Sequence, residues 1–172
     1  MKNGVRAVAM VAAGVWLSAS GPVHAHAGAC ASGSAHKEAV VATQASGTFD
    51  VKLAPQTLEE TADGTFGRMS IDKQFHGDLE ATSKGEMLSA MGSVQGSAGY
   101  VAIELVTGTL QGRTGTFVLQ HSGTMAHGAL QLLITIVPDS GTGQLAGISG
   151  AMAIKIVGKD HFYELVYSLP PE

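Results

Sequence analysis

Residues Tyr100–Thr124, YVAIELVTGTLQGRTGTFVLQHSGT, decide which fold this chain can adopt. Two runs within the stretch, Tyr100–Thr107 and Thr116–His121, alternate in hydropathy and are rich in Val, Ile, Thr, Phe and Tyr. Alternation with a period of two predicts β-strands, and a short glycine-bearing connection between two such runs predicts a hairpin. The connection carries three glycines, namely Gly108, Gly112 and Gly115. We therefore expect an antiparallel hairpin at the centre of the chain.

Further strand-like runs lie on both sides of this hairpin. They are Ser46–Leu53, Phe66–His76, Asp78–Leu88, Ala129–Val137, Ala151–Val157 and His161–Leu169. In the second of these runs one parity set is predicted to point inward, and it consists of Met69, Ile71, Lys73 and Phe75. About eight strands with turn residues between them and no helical period indicate an all-β antiparallel barrel or sandwich.

The composition narrows the class of protein. The chain has 172 residues, the size of one domain, and only 14% of them are charged, against roughly 25% in a typical soluble domain. Its 23 glycines come with only 5 prolines, which is typical of tight turns and bulges in closed β folds. No block of Lys and Arg is present to neutralise phosphates, so nucleic acid is not an expected partner.

The first residues have the features of a secretory signal peptide. Lys2 and Arg6 precede the uncharged run Ala7–Ser20, and Ala25-His26-Ala27 fits a small-residue cleavage motif. The run is shorter than the roughly 20 residues that span a bilayer, although an uncleaved anchor stays as an alternative. The sequence thus predicts a signal peptide over 1–27, a disordered leader over 28–45 and a β-barrel domain over 46–172. The protein is expected to be exported, periplasmic or extracellular.

Two details of this segment stay open. Cleavage could instead follow Ala25, because Val23-His24-Ala25 has the same pattern. Cys30 is the single cysteine, so no intramolecular disulfide is expected, and it is either a free thiol or the attachment point of a lipid. Cleavage after Ala27 removes Lys2 and Arg6, which leaves 8 basic against 14 acidic residues and a net charge of −6.

A glycine pattern occurs twice. Gly108–Gly115 (GTLQGRTG) and Gly143–Gly150 (GQLAGISG) share the form G-x-L-x-G-x-[ST]-G. A phosphate-binding loop needs a helix N-terminus behind it, and neither copy is followed by a helical pattern. We therefore expect these glycines to allow positive φ angles or close backbone approach, with Leu110 and Leu145 plugging one barrel end.

The hairpin, the run VPDSGTGQLAGISG and the final HFYELVYSL together resemble a bacterial family known as domain of unknown function 3224. The resemblance covers about Ser46–Leu169. It implies an antiparallel barrel similar to those of allene oxide cyclase and the plant dirigent proteins. Such barrels bind apolar small molecules inside and often form trimers, so an apolar ligand and a homo-oligomer are the partners that it implies.

Glu104 is the first candidate for chemistry. It shares strand parity with Tyr100, Ala102 and Val106, and both faces of its strand are largely apolar. The resemblance implies that Glu104 points inward, because related sequences carry a charged residue at the position of Leu105. Burial in an apolar lumen would raise the pKa of the carboxyl group. A carboxylate paired with Lys or Arg at the barrel mouth is the structural alternative.

Four other residues are candidates. His121 could be an acid–base partner of Glu104, or a capped structural histidine. Gln120 has the opposite parity, so at most one of these two lines the interior. Tyr163 and Tyr167 share a face of the last strand and could offer phenols to a ligand, or could be rim tyrosines. No metal motif or nucleophile elbow is present, and no cofactor is predicted.

Three functions fit these observations. The first is an exported barrel that binds an apolar small molecule without converting it. The second is an isomerase or cyclase that guides a reactive intermediate in the lumen, with Glu104 as its acid–base group. The third is a structural envelope module with a packed interior and no ligand.

Overall fold

Eight antiparallel strands form a closed barrel in chain order, with the last strand pairing with the first. The computed structural model describes residues 42–57 and 66–171. The strands are β1 Thr43–Pro55, β2 Phe66–Gly77, β3 Leu79–Met91, β4 Ala98–Leu110, β5 Arg113–Ala126, β6 Ala129–Ile136, β7 Ser149–Val157 and β8 Asp160–Ser168. The predicted all-β eight-stranded barrel is thereby confirmed.

The predicted signal peptide and most of the predicted leader lie outside the described residues. Strand β1 begins at Thr43, three residues before the predicted start at Ser46. The three additional residues are too few for an alternating pattern to be recognised in the sequence. They are strand because Thr43 and Ala45 pair with Tyr167 and Leu165 of β8, a contact that only closure of the barrel creates.

The central hairpin is longer than its sequence pattern predicts. Strand β4 continues to Leu110 and β5 begins at Arg113, so only Gln111 and Gly112 form the turn. Both turn residues have positive φ, 46° and 86°, as a two-residue turn needs to match the twist of its strands. Gly108 and Gly115 therefore lie within the strands and pair with each other across the hairpin.

One end of the barrel is closed by the second glycine repeat. A short 3-10 turn, Gly143–Leu145, folds over the end of β5 because Thr142 and Thr116 exchange hydrogen bonds. A Cβ atom at Gly115 would collide with the carbonyl oxygen of Thr142, so this position must be glycine for the closure to form. Leu110 and Leu145 are both buried at this end, as predicted.

The two glycine repeats share one backbone feature. Gly112 and Gly147 hold the same place in the pattern, and both have positive φ, 86° and 76°. In the part of the chain that the structure describes, no helix follows either repeat, and the single 3-10 turn lies within the second one. The repeats are turn-forming and packing elements, consistent with the structural interpretation of the sequence.

The opposite end of the barrel, where β3 joins β4, β5 joins β6 and β7 joins β8, is less tightly packed. Its inward-facing side chains are apolar and partly exposed, and we call them the mouth: Met69, Met87, Tyr100, Met125, Leu132, Ile154 and Ile156. At the closed end the inward-facing side chains are nearly all fully buried, among them Phe75, Leu79, Leu110 and Phe117. The interior thus has a fully buried half and a partly exposed half, which we call the open half.

Candidate functional site

Glu104 points into the barrel and is fully buried, at 0% exposure. Its neighbour Leu105 points outward, because successive side chains of a strand lie on opposite faces. The Cα partner of Glu104 on β3 is Gly85, whose missing side chain leaves the interior beside the carboxylate free of a competing Cβ. The orientation that the family resemblance implied is the one observed.

Two donors hold the Glu104 carboxylate. Lys73 Nζ of β2 donates to Oε2 at 2.7 Å, and Ser83 Oγ of β3 donates to Oε1 at 2.9 Å. Lys73 is only 6% exposed, so the two charges form a buried ion pair. The ammonium also lies 5.0 Å from the ring centroid of Phe49 and 5.7 Å from that of Phe75, within cation–π range. Each oxygen of the carboxylate therefore has a donor of its own.

His121 of β5 completes the cluster. Its Nε2 atom lies 3.6 Å from Glu104 Oε2, too far for a good hydrogen bond. Within the described residues this Nε2 is buried and has no hydrogen-bond partner. Burial, and to a smaller extent the positive charge of Lys73, lower the pKa of His121 to about 4, while the negative charge of Glu104 acts in the opposite direction. The imidazole is therefore neutral at neutral pH.

Tyr100 lies between this cluster and the open end. Its ring covers Gly123 of β5, and a Cβ at that position would collide with the ring. Burial raises the pKa of the Tyr100 phenol, and the nearby charge of Glu104 raises it further. The phenol is thus neutral and remains available as a hydrogen-bond donor. The residues of the cluster and the Tyr100 ring beside it come from four adjacent strands, β2 to β5.

The remaining predicted residues lie elsewhere. Gln120 is exposed on the outer face, as its parity with respect to His121 requires. Tyr163 Oη accepts a hydrogen bond from the backbone N–H of Leu79 at 2.8 Å, at the closed end. Tyr167 Oη donates to Gln111 Oε1 at 2.7 Å, at the same end. The two tyrosines tie strands together there, whereas Glu104 and His121 share the central cluster.

Sequence reasoning missed Lys73 and Ser83 as members of the site. The signal for Lys73 was present, because it belongs to the inward parity set of its strand. A lysine among inward apolar residues needs a buried acidic partner, since an unpaired buried charge is too costly. For Ser83 no signal exists, because a serine in a strand fits either face.

Neither of two cavities on the barrel surface touches the cluster. One of about 290 Å³ is lined by Ser122, Thr124, Gln131, Leu132 and Leu133, and one of about 230 Å³ lies beside Arg113 and Leu169. Among residues 42–57 and 66–171, no group of three or more His, Cys, Asp or Glu side chains is placed to hold a metal ion. In the same ranges, no helix has the length and apolarity needed to cross a bilayer.

The buried ion pair between Lys73 and Glu104 predicts how the free energies of unfolding of single and double variants compare. Lys73→Met and Glu104→Leu should each cost about 3–5 kcal/mol, because each leaves an uncompensated buried charge. The double variant should be much closer to the wild type than either single variant, because it buries no charge. Urea unfolding of the four proteins measures this. Arg68→Met, which removes an outward ion pair with Glu86, is the control and should cost less than about 1 kcal/mol. Additive single costs would contradict a coupled buried pair.

His121 predicts a dependence of stability on pH. Its folded-state pKa of about 4 lies below the ordinary 6.5, so protonation favours the unfolded chain. The free energy of unfolding is therefore highest above pH 6.5. It decreases by about 3 kcal/mol in total as the pH falls towards 4. His121→Gln removes this titration, so its urea midpoint should fall less over the same range. Equal slopes in the two proteins would show that His121 is not the titrating group.

The comparisons with known proteins give the family but no activity. Residues 45–167 match the family described as "Protein of unknown function (DUF3224)". A crystal structure of a protein of unknown function from the DUF3224 family of Shewanella oneidensis MR-1 is 52% identical in sequence. The match covers 77% of this chain and 100% of that chain, with a TM-score of 0.73. A search of curated proteins gives no match. This chain therefore belongs to the DUF3224 family.

Proposed function

We propose that this protein binds a small, mostly apolar molecule in the open half of its barrel, with one polar group of the ligand at His121. The observation that carries the proposal is the buried Nε2 atom of His121, which has no hydrogen-bond partner among the described residues. A buried polar atom without a partner costs about 1–3 kcal/mol. A ligand that supplied the missing hydrogen bond would recover that free energy on binding.

The position of His121 between charge and apolar surface indicates the kind of ligand. On one side lies the Lys73–Glu104 ion pair, and on the other lies the mouth. Small-molecule sites combine such an apolar lining with a few placed polar groups that orient the ligand. The methionines of the mouth adapt to varied shapes because their side chains are flexible and polarisable.

The 3.6 Å gap between His121 Nε2 and Glu104 Oε2 indicates the polar group. A hydroxyl placed beside the two atoms can accept a hydrogen bond from Nε2–H and donate one to the carboxylate. Tyr100 adds a neutral phenol on the way to the open end. An apolar alcohol or a related hydroxylated molecule therefore has suitable partners here.

Binding without conversion is the form of the proposal that the geometry supports best. An isomerase or cyclase would need Glu104 to take or give a proton, but its carboxylate is held in an ion pair with Lys73 and hydrogen-bonded by Ser83. A structural module with a fully packed interior accounts for the closed half, and it leaves the partly exposed mouth without a role. The implied likeness to allene oxide cyclase and dirigent barrels is part of this proposal, and superposition on such a barrel would test it.

Ligand binding can be tested with the fluorescent apolar probe N-phenyl-1-naphthylamine. Leu132 and Leu133 are adjacent leucines on β6, and they point to opposite faces of the barrel wall. Leu132→Trp should fill the mouth and weaken probe binding by about tenfold or more, which corresponds to about 1.4 kcal/mol. Fluorescence titration measures the effect, and thermal unfolding confirms that the variant is folded.

Leu133→Trp is the matched control, with the same substitution on the outer face. It should leave probe binding unchanged. Loss of the probe in both variants would instead place binding in the outer cavity that both leucines line. Absence of probe binding by the wild type would remove the support for a ligand site.

We also propose that the protein is exported and that its signal peptide is removed after Ala27. The support is the charge and apolar pattern of the first 27 residues with their small-residue cleavage motif. Expression of the full chain in a Gram-negative host should yield a periplasmic protein that begins at Gly28. Intact-mass measurement distinguishes this product from cleavage after Ala25, from acylation of Cys30 and from the uncleaved chain. Recovery of the uncleaved chain in the cytoplasm would contradict export.

A further inference from the structure

Lys73 differs from the other lysines that the structure describes. Its side chain is 6% exposed and points into the barrel, where its Nζ atom contacts the carboxylate of Glu104. The other described lysines are exposed to solvent, namely Lys52, Lys84, Lys155 and Lys159. A primary amine inside an apolar site is the group with which proteins bind carbonyl compounds covalently, as Schiff bases. Lys73 is therefore a candidate nucleophile as well as a partner of Glu104.

The Lys73 amine and the unpartnered nitrogen of His121 lie beside the same atom. Lys73 Nζ is 2.7 Å from Glu104 Oε2, and His121 Nε2 is 3.6 Å from that oxygen. A single carbonyl group can therefore reach both nitrogens. Its oxygen can accept the hydrogen bond that a buried Nε2–H of His121 lacks, while its carbon lies against Nζ.

Small residues form the barrel wall on the mouth side of this cluster. The next inward positions towards the mouth on β3, β4 and β5 are Gly85, Ala102 and Gly123. The ring of Tyr100 lies against Gly123. On these three strands the carbonyl end of a ligand would meet backbone, one methyl group and one aromatic ring. The apolar remainder of the ligand would extend into the mouth.

We propose that Lys73 binds apolar aldehydes covalently, as a reversible Schiff base inside the barrel. This inference rests on the proposed function, because the chain of the aldehyde occupies the same open half. An alcohol has only hydrogen bonds to offer at this site, whereas the corresponding aldehyde also offers an electrophilic carbon to the Lys73 amine. The ligand class is thereby narrowed from hydroxylated molecules to apolar aldehydes.

The reaction is a condensation that releases one water molecule. The Lys73 ammonium loses a proton to water, and the nitrogen lone pair forms a bond to the carbonyl carbon as the C=O π electrons move to oxygen. A proton passes from the nitrogen to that oxygen. The resulting hydroxyl takes a second proton from water and leaves as water, while the nitrogen lone pair forms the C=N bond. The product is an iminium ion, and addition of water reverses every step.

The surroundings of Lys73 suit the iminium as well as they suit the ammonium. The iminium keeps the positive charge and one N–H, so its ion pair with Glu104 persists and neither charge is left buried without a partner. The rings of Phe49 and Phe75 still face a cation. A Schiff base at an exposed lysine has no apolar lining for the aldehyde chain and stays open to hydrolysis by water.

Reductive trapping with octanal tests the proposal. Sodium cyanoborohydride reduces an iminium to a stable secondary amine, so mass spectrometry of proteolytic fragments locates the attached octyl group. In the wild type, Lys73 should be labelled about tenfold more than any exposed lysine, because only there does the apolar chain leave water. Labelling spread over the exposed lysines without preference for Lys73 would overturn the proposal.

Two variants give matched controls. Lys73→Arg keeps a positive charge beside Glu104, but a guanidinium group does not form a Schiff base with octanal, so the preferred label should disappear. Lys84→Met removes an exposed lysine and should leave labelling of Lys73 unchanged. Thermal unfolding confirms that both variants are folded. The fragment map of the wild type locates the label whether or not Lys73→Arg folds.

Binding of N-phenyl-1-naphthylamine separates this proposal from the function on which it rests. Octanal-labelled protein should lose the probe, because the octyl chain occupies the open half, and unlabelled Lys73→Arg should still bind it. A wild type that binds the probe but gains no label at Lys73 would overturn covalent capture and leave the ligand site standing. Labelled protein that binds the probe as well as unlabelled protein would place the octyl chain outside the open half and would also overturn the proposal.

Discussion

The buried ion pair between Lys73 and Glu104 is the interaction on which the interior of this barrel depends. It joins β2 to β4 across β3, where Ser83 supplies the second hydrogen bond to the carboxylate. Charges of this kind are tolerated inside a protein only when they are paired and hydrogen-bonded. The pair therefore sets the relative positions of three strands and determines the electrostatic environment of His121. Burial is the main cause of the low pKa of His121, and the positive charge of Lys73 lowers that pKa as well.

Glycine controls how the space on either side of this pair is used. At the closed end, Gly115 lets the segment around Thr142 approach β5 closely, and the interior fills with fully buried apolar side chains. Near the open end, the missing side chain of Gly123 leaves space for the ring of Tyr100 against β5. Glycine thus allows tight packing in one half of the barrel, and in the other half it leaves space for the Tyr100 ring beside the candidate site. The function proposed for the protein uses only the partly exposed half.

Much of the fold could be predicted from sequence because strands have a simple period. The hairpin of β4 and β5, the inward set of β2 and the burial of Leu110 and Leu145 all follow from alternation and glycine spacing. The ends of the strands could not be predicted in the same way. Strand β1 begins at Thr43 because β8 is there to pair with it, and that neighbour is distant in sequence.

The candidate site was less predictable than the fold. Glu104 and His121 could be selected from sequence as an unusual charge and a nearby histidine on one hairpin. Strand parity made Tyr163 and Tyr167 equally good candidates for an inward-facing site. Parity gives the face of a residue but not its height in the barrel, and height separates the two tyrosines from the central cluster.

The sequence by itself determined the class of fold, the glycine turns and which side chains could face inward, because these depend on periods and on backbone freedom within short stretches. Only the tertiary structure decided that Lys73, Ser83, Glu104 and His121 meet at one level of the barrel. Their meeting depends on the register of four strands and on closure of the sheet, which arises from hydrogen bonds between residues far apart in the chain.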